Sequence, residues 1–421
     1  MGKRNDNRRP RRAVSAVVTT AALVAAVTVI APRLVPGDKL AARVAEAVAA
    51  ATGAEVTVGS AHLTLLGGPG LQVTDARVVR QGQYDVALDR ADISLAVLPL
   101  ARRQLVVDGA RARGRTAHVS WRGQSLALST FDVKASGLNY ALPKLDAAAR
   151  GAGVAAGPLL PADLKGSLSV TLAHGAWSSF AVDDLALQAS LKQGIVTVRS
   201  LACRTAGGDV SATGSWNPGP AGAAAAVDGV IRLAGVDAAA LLRPWAPEVA
   251  TQLDARVSGD ARLACTLGDA ATIRATLAGD GRLHAAGGTL RTGPWLAEAK
   301  PYLGSRQDLV DIRFDQLRHV FRVGNGSYQL DTLAIRGPDT NWDLQGALGF
   351  DGSADLAVHL CLPPDFVPNL GSMTMYAMAL RDAERRVNLD ITVRGPLADP
   401  MVGLDFVAMS KRLAKPRGAA G

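Results

Sequence analysis

Val387-Asn388-Leu389-Asp390-Ile391-Thr392-Val393-Arg394-Gly395 alternates residue by residue, with Val, Leu, Ile and Val on one parity and Asn, Asp, Thr and Arg on the other. A period of two is that of a strand with one buried and one wet face. Variants recur upstream, from Gly259 to Gly268 with Ala261, Leu263, Cys265 and Leu267 in phase, and from Gly279 to Leu290. The same alternation places Ile273, Ala275 and Leu277 on an inward strand face, and Leu356, Val358, Leu360 and Leu362 on another. The fold class that follows is mainly β, with few helices.

The pattern extends through most of the chain. Val56 and Val58, Leu63 and Leu65, Leu71 and Val73, Val86 and Leu88, and Ile93, Leu95 and Val97 form a meander with a turn at Gly67 to Gly70. A break at Pro99 leads to a short strand, Leu105 to Val107, ending near Asp108-Gly109. Tyr140 to Leu164, rich in Ala, Gly and Pro, reads as a linker. Strands resume with Leu168, Val170 and Leu172, then Leu185, Leu187 and Leu191, then Val196 and Val198. Turns fall at Gly207-Gly208-Asp209 and Asn217 to Pro220. A short helical phrase from Ala238 is broken by Pro244 and Pro247, and another is expected near Trp295 to Leu303.

Composition narrows the function classes. The 421 residues are 48% hydrophobic but only 4% aromatic, so Leu, Val and Ala supply the apolar surface. The net charge of +9 gathers mostly at the two ends, with no basic patch interleaved by aromatics, which argues against nucleic acid. Cys203, Cys265 and Cys361 are far apart, without metal spacing or a disulfide framework.

Lys3, Arg4, Arg8, Arg9, Arg11 and Arg12 precede about twenty uncharged residues from Ala13 to Pro32, long enough to cross a bilayer. The expectation is a cytoplasmic segment over 1–12 and a single transmembrane anchor over 13–35, with the bulk of the chain on the far side. A cleaved signal peptide ending near Val29-Ile30-Ala31 is the rival. A helix over 38–52, capped by Asp38 and stopped by Gly53, either closes the end of the sheet or lies as a connector on lipid.

No catalytic constellation emerges, and the expectation is a protein without enzymatic activity, cofactor or metal. Asp351-Gly352-Ser353-Ala354-Asp355 lacks the later Glu of a calcium loop and reads as a turn. Asp308, Asp311 and Asp315 read as solvated carboxylates. His62, His118, His174, His284, His319 and His359 are scattered and read as surface residues. Gly279-x-Gly281 reads as hairpin geometry, since the third glycine and following helix of a dinucleotide loop are missing. Trp177, Trp216, Trp245 and Trp295 either plug or staple the ends of the sheet. Lys411, Arg412, Lys415 and Arg417 form a basic tail over 409–421.

The order of anchor, capping helix, Gly53-x-x-Val56-x-Val58 strand and Leu98-Pro99-Leu100 break resembles the N-terminal part of the AsmA-like family of bacterial envelope proteins. The C-terminal half is similar too, in Val236-Asp237 with Leu241-Leu242, Leu277 to Leu283, Leu344 to Asp351, and the close Gly395 to Pro400. The likeness covers nearly the whole chain and rests on pattern and glycine placement. It implies β-groove regions over 53–235 and 236–408, together an elongated, curled antiparallel trough tethered in the inner membrane and reaching into the periplasm. It also implies phospholipids as partners, transfer towards the outer membrane, and a further outer-membrane or periplasmic protein partner. The alternative within the family is a non-transporting factor modulating outer-membrane protein assembly through protein contacts.

The lining residues under this reading are Leu168, Val170, Leu172, Leu263, Cys265, Leu267, Ile273, Leu277, Leu356, Val358, Leu360, Val387, Leu389, Ile391 and Val393. From the residues alone a sandwich or barrel would bury the same positions as core. At about 12 residues per strand and turn, roughly thirty strands are expected, about 130 to 150 Å of sheet.

Overall fold

A computed structural model describes residues 37–64, 70–81, 83–96, 104–121, 124–141, 164–177, 180–218, 225–243, 250–291, 311–367 and 380–414. The expected anchor over 13–35, the helical phrase near Trp295, the end of the basic tail and most of the expected linker from Tyr140 to Leu164 lie outside these residues, Tyr140 and Ala141 instead ending a strand. Among the described residues no helix is long and apolar enough to cross a membrane.

The described chain is mainly β, 19 antiparallel strands with four short helices. It divides into two compact units, residues 1–205 with 211–227, and residues 206–210 with 228–421. In the first, α1 (Gly37–Thr52) precedes β1 (Glu55–Thr64), β2 (Gly70–Arg80), β3 (Tyr84–Leu95), β4 (Gln104–Trp121), β5 (Gln124–Ala141), β6 (Lys165–Trp177), β7 (Phe180–Lys192) and β8 (Ile195–Thr205). The division passes through β9 (Gly208–Asn217) and β10 (Ala225–Asp237). The second unit continues with α2 (Ala238–Leu242), β11 (Leu253–Leu267), α3 (Ala270–Thr276), β12 (Ala278–Arg291), β13 (Asp311–Phe314), β14 (Gln316–Gly324) and β15 (Ser327–Arg336). It ends with β16 (Asn341–Gly349), β17 (Ser353–Leu362), β18 (Val387–Pro396), β19 (Met401–Leu404) and α4 (Phe406–Ala414).

Within each unit the order in space follows the order in sequence. β1 to β8 pair successively, and so do β11, β12 and β14 to β19, with β13 alongside β12. Among the described residues no pairing joins β1 to β8 or β11 to β19, so neither meander closes on itself.

The strand count falls below the roughly thirty expected because several strands are long. β4 and β5 each run 18 residues, and the expected stop at Asp108-Gly109 is interior to β4. Gly109 pairs with Ser94 beside a register shift and with Ser136 in continuous register, so the turn-forming dipeptide serves as a bulge against β3.

The helices take their places for legible reasons. α1 buries Leu40, Ala41 and Val44 against Ala61, Leu71, Val73 and Ala76 of β1 and β2, closing that end of the first unit. Gly53 ends it at φ +65°, its N–H bonded to the Ala49 carbonyl at 2.8 Å. The Asp237 carboxylate accepts from the Ala240 N–H at 2.9 Å and starts α2. Asp269 does the same for α3, accepting from Thr272 N–H at 2.8 Å. Ile273 and Ala275, expected on a strand, therefore lie on a helical turn, with Leu277 its C-cap.

Candidate functional site: the apolar face

Direct cross-strand partners define the face. In the second unit one row runs Ala261–Gly281–Phe321–Leu330–Gly346–Leu356–Val393 across seven strands. In the first, Leu168–Ala189–Val198 and Val170–Leu187–Leu201 span β6 to β8. Every expected lining residue except Ile273 and Leu277 lies on a strand, as its parity required.

Accessibility along the face is uneven. On β6 to β8, Val170, Leu185, Leu187, Leu191, Val196, Val198 and Leu201 are only half-buried, and Leu168 is 37% exposed. Between Leu172 and Val236 the buried hydrophobic core consists of Ala189 alone among the described residues. On β11, Ala261, Leu263 and Cys265 are half-buried and Leu267 is 42% exposed. The C-terminal strands differ: Leu360, Val387, Leu389 and Val393 are 0% exposed, with Val358 and Ile391 also sealed. They share a cluster with Trp342, Phe366, Leu380 and Met409 of α4. Six residues expected to line an accessible surface thus form a closed core. Leu172 is likewise buried, against Ala117 and Phe131, whereas Leu356 stays half-buried.

Large side chains lie flat where the opposing strand supplies glycine. A Cβ on Gly114, Gly281 or Gly288 would sit 2.4, 2.5 and 2.5 Å from the ring tip of Phe131, Phe321 and Phe314, each the glycine's direct cross-strand partner. The ring occupies the space a side chain would fill, a known remedy for glycine in sheets. Gly281 therefore belongs to interior packing, where the sequence suggested a hairpin. Gly279 is similar, its missing Cβ replaced by a Leu263 methyl.

Sequence reasoning missed one cluster on this face. His319 is 9% exposed, in phase with Leu317, Phe321 and Val323 on β14, and that parity was the signal that it points inward. Its Nδ1 lies 3.1 Å from the Thr332 carbonyl, which can only accept, so Nδ1 carries the hydrogen. Nε2 then accepts from the Tyr328 hydroxyl at 2.6 Å. Phe321 stacks on Tyr328 at 5.1 Å and on His319 at 5.5 Å between ring centroids. Burial holds the His319 pKa below its ordinary value and the Tyr328 pKa well above its own, so both are neutral at pH 7.

The opposite face is a ladder of ion pairs. Arg77–Asp85, Arg322–Asp331, Arg336–Asp343 and Arg394–Asp355 meet at 2.6, 2.6, 2.5 and 3.1 Å. Asp132 gathers Arg111, Arg113 and Lys134, and the hydrogen bond from Arg111 leads the causes that hold its carboxyl below the usual range.

The remaining sequence candidates are dispersed. His62, His118, His174 and His284 are exposed. His359 is largely enclosed, its Nδ1 3.0 Å from Asp390, which is itself 5% exposed although its parity marked it as wet, so both depart from the surface expectation. Asp351 accepts from Ser353 N–H and Oγ at 2.9 and 2.6 Å, the local turn expected. Asp311 and Asp315 are exposed, and Asp308 lies outside the described residues. Trp216 sits on β9, Trp177 ends β6, and Trp245 and Trp295 lie outside. All three cysteines are free. Burial is the main cause raising the Cys203 and Cys361 thiol pKa values, the opposite of an activated nucleophile. Among the described residues no group of three or more His, Cys, Asp and Glu could hold a metal.

No protein-family model, curated protein or solved structure matches the chain.

Proposed function

We propose that the chain is an AsmA-like, inner-membrane-anchored periplasmic protein that binds phospholipid acyl chains in a curled β-groove and assists their transfer towards the outer membrane, without catalysis. One observation carries the reading. In the first unit β6 to β8, and separately in the second β11, each present a row of half-buried or exposed Leu, Val, Ala and Cys side chains, Leu172 and Ala189 apart, that the unit's own core does not consume. An apolar sheet face left half-open is costly in water, and covering it with methylenes returns about 0.8 kcal/mol for each one buried. Short aliphatics leave room for a slender guest. With similar neighbours along the face, such a guest can shift position at small cost. The low aromatic content and the ion-paired outer face fit the same division of labour.

Lipid mass spectrometry on the detergent-extracted protein tests the proposal, near-stoichiometric phospholipid being the expected result. A photo-crosslinker at Leu263 is expected to label lipid and one at Arg262, on the wet parity, is not. Absence of phospholipid with a co-purified outer-membrane assembly protein would support the protein-contact role instead.

A further inference from the structure

We propose that the Phe321–Tyr328–His319 stack is an end wall on the apolar face of the second unit, so that an acyl chain held along β11 and β12 stops at β14. The inference rests on the lipid-binding reading and adds where the guest ends.

The cross-strand row through Phe321 supplies the geometry. Ala261 on β11 is half-buried, Phe321 and Leu330 are each 7% exposed, and Leu356 on β17 is half-buried again. Accessibility along one line of paired residues thus falls at β14 and β15 and returns only in part at Leu356, which packs on the closed core three strands beyond β14, roughly 14 Å at the usual strand spacing. A chain lying across the strands from Ala261 meets the Phe321 ring first, before Leu330 of the closed core and Leu356 beyond it.

The stack is built to resist displacement. The Phe321 ring tip fills the space above Gly281, and its face is held by Tyr328 and His319. Those two are fixed in turn by the Tyr328 hydroxyl on Nε2 and by Nδ1–H on the Thr332 carbonyl. Both imidazole nitrogens and the phenolic hydrogen are satisfied inside the cluster, so turning His319 or Tyr328 away leaves the partner's buried polar atom unpaired, and these two rings in turn hold the face of Phe321. A plain aliphatic core would not carry this orientational lock.

The test uses the full chain in detergent with phospholipid, and a diazirine crosslinking residue at Leu263 or at Leu356. With the stack intact, labelling is expected at Leu263 and only background at Leu356. Phe321→Ala is expected to raise Leu356 labelling clearly above background, to less than the Leu263 yield because Leu356 still packs on the closed core. Tyr328→Phe, which keeps the ring but removes the hydroxyl that holds His319 Nε2, is expected to raise Leu356 labelling above background by less than Phe321→Ala does. If Phe321→Ala does not fold, judged by its circular dichroism, Phe321→Val serves in its place. No labelling at Leu263 sinks the lipid reading itself. Labelling at Leu263 with equal labelling at Leu356 in the unmodified protein, or with Leu356 still silent once the ring is removed from a folded protein, overturns the wall alone.

Discussion

β6 to β8 and β16 to β18 are written in the same alphabet and meet opposite fates. Leu168, Val170 and Leu172 alternate as regularly as Val387, Leu389, Ile391 and Val393, yet Leu168 is 37% exposed and Leu389 is 0%. The difference lies in what covers them. Trp342 is sealed with β17 and β18, Phe366 and Leu380 bring in the loops after β17 and before β18, and Met409 brings in α4. Among the hydrophobic residues described on β7 and β8 only Ala189 is buried, and it belongs to none of the core clusters. Strand periodicity decides that a face exists; whether the face is core or binding surface is decided by residues outside the strand.

The largest expected consequence is in stability. Leu389→Ala removes side-chain atoms from a sealed, close-packed site and is expected to cost about 2 to 5 kcal/mol. Leu201→Ala, on the half-open face of β8, is expected to cost less than about 1.5 kcal/mol, since part of its surface already meets solvent. Urea denaturation of both variants reads the contrast. Equal losses would mean that the two regions are one kind of core, and the proposed binding surface would go with them.

A smaller effect separates the regions by pH. His319 is held neutral by burial, so its folded pKa lies below the ordinary 6.5 at which the unfolded chain takes up a proton. Below that value the unfolded state binds more protons than the native one. The His319 contribution is therefore fully present above about pH 6.5 and declines as the pH falls beneath it, by at most about 1.4 kcal/mol per pH unit. His319→Phe is expected to flatten the stability profile between pH 6.5 and 5, measured by denaturation at each pH. An unchanged slope would show that the imidazole is solvated in the native state.

Much of this was legible in the residues. Parity alone put Leu263, Leu356 and Leu389 on one face and Arg262, Asp355 and Asp390 on the other, and the α1 stripe of Leu40 and Val44 gave the closing helix. The failures have physical causes. Ile273, Ala275 and Leu277 alternate by chance inside a helical turn, whose start was signalled by Asp269 three residues before Thr272. Asp108-Gly109 has turn chemistry but is absorbed as a bulge because partners flank it on both sides. His319 was judged by residue type when its neighbours Leu317 and Phe321 gave its direction. The covering of β17 and β18 depends on Trp342 and Met409, distant in sequence, and a local period carries no information about them.

The smallest expected effect concerns the wet face, and it is the sharpest check that the two faces do different work. Residues 1–12 hold six Lys and Arg against one Asp, and 411–421 hold four with no acid, which accounts for the whole +9. The 398 residues between carry 36 basic and 36 acidic side chains. The body is electroneutral in composition, and among the described residues several of its charges meet in cross-strand pairs, as Arg322 meets Asp331 at 2.6 Å. Such exposed pairs trade solvent contacts for each other and contribute little singly. Arg322→Ala is therefore expected to leave the denaturation midpoint indistinguishable from the parent, and to leave phospholipid occupancy unchanged, although Arg322 stands directly beside Phe321 in sequence. A loss of bound lipid in that variant would place the binding surface on the charged side of the sheet, and the division between an apolar working face and a neutral outer face would fail.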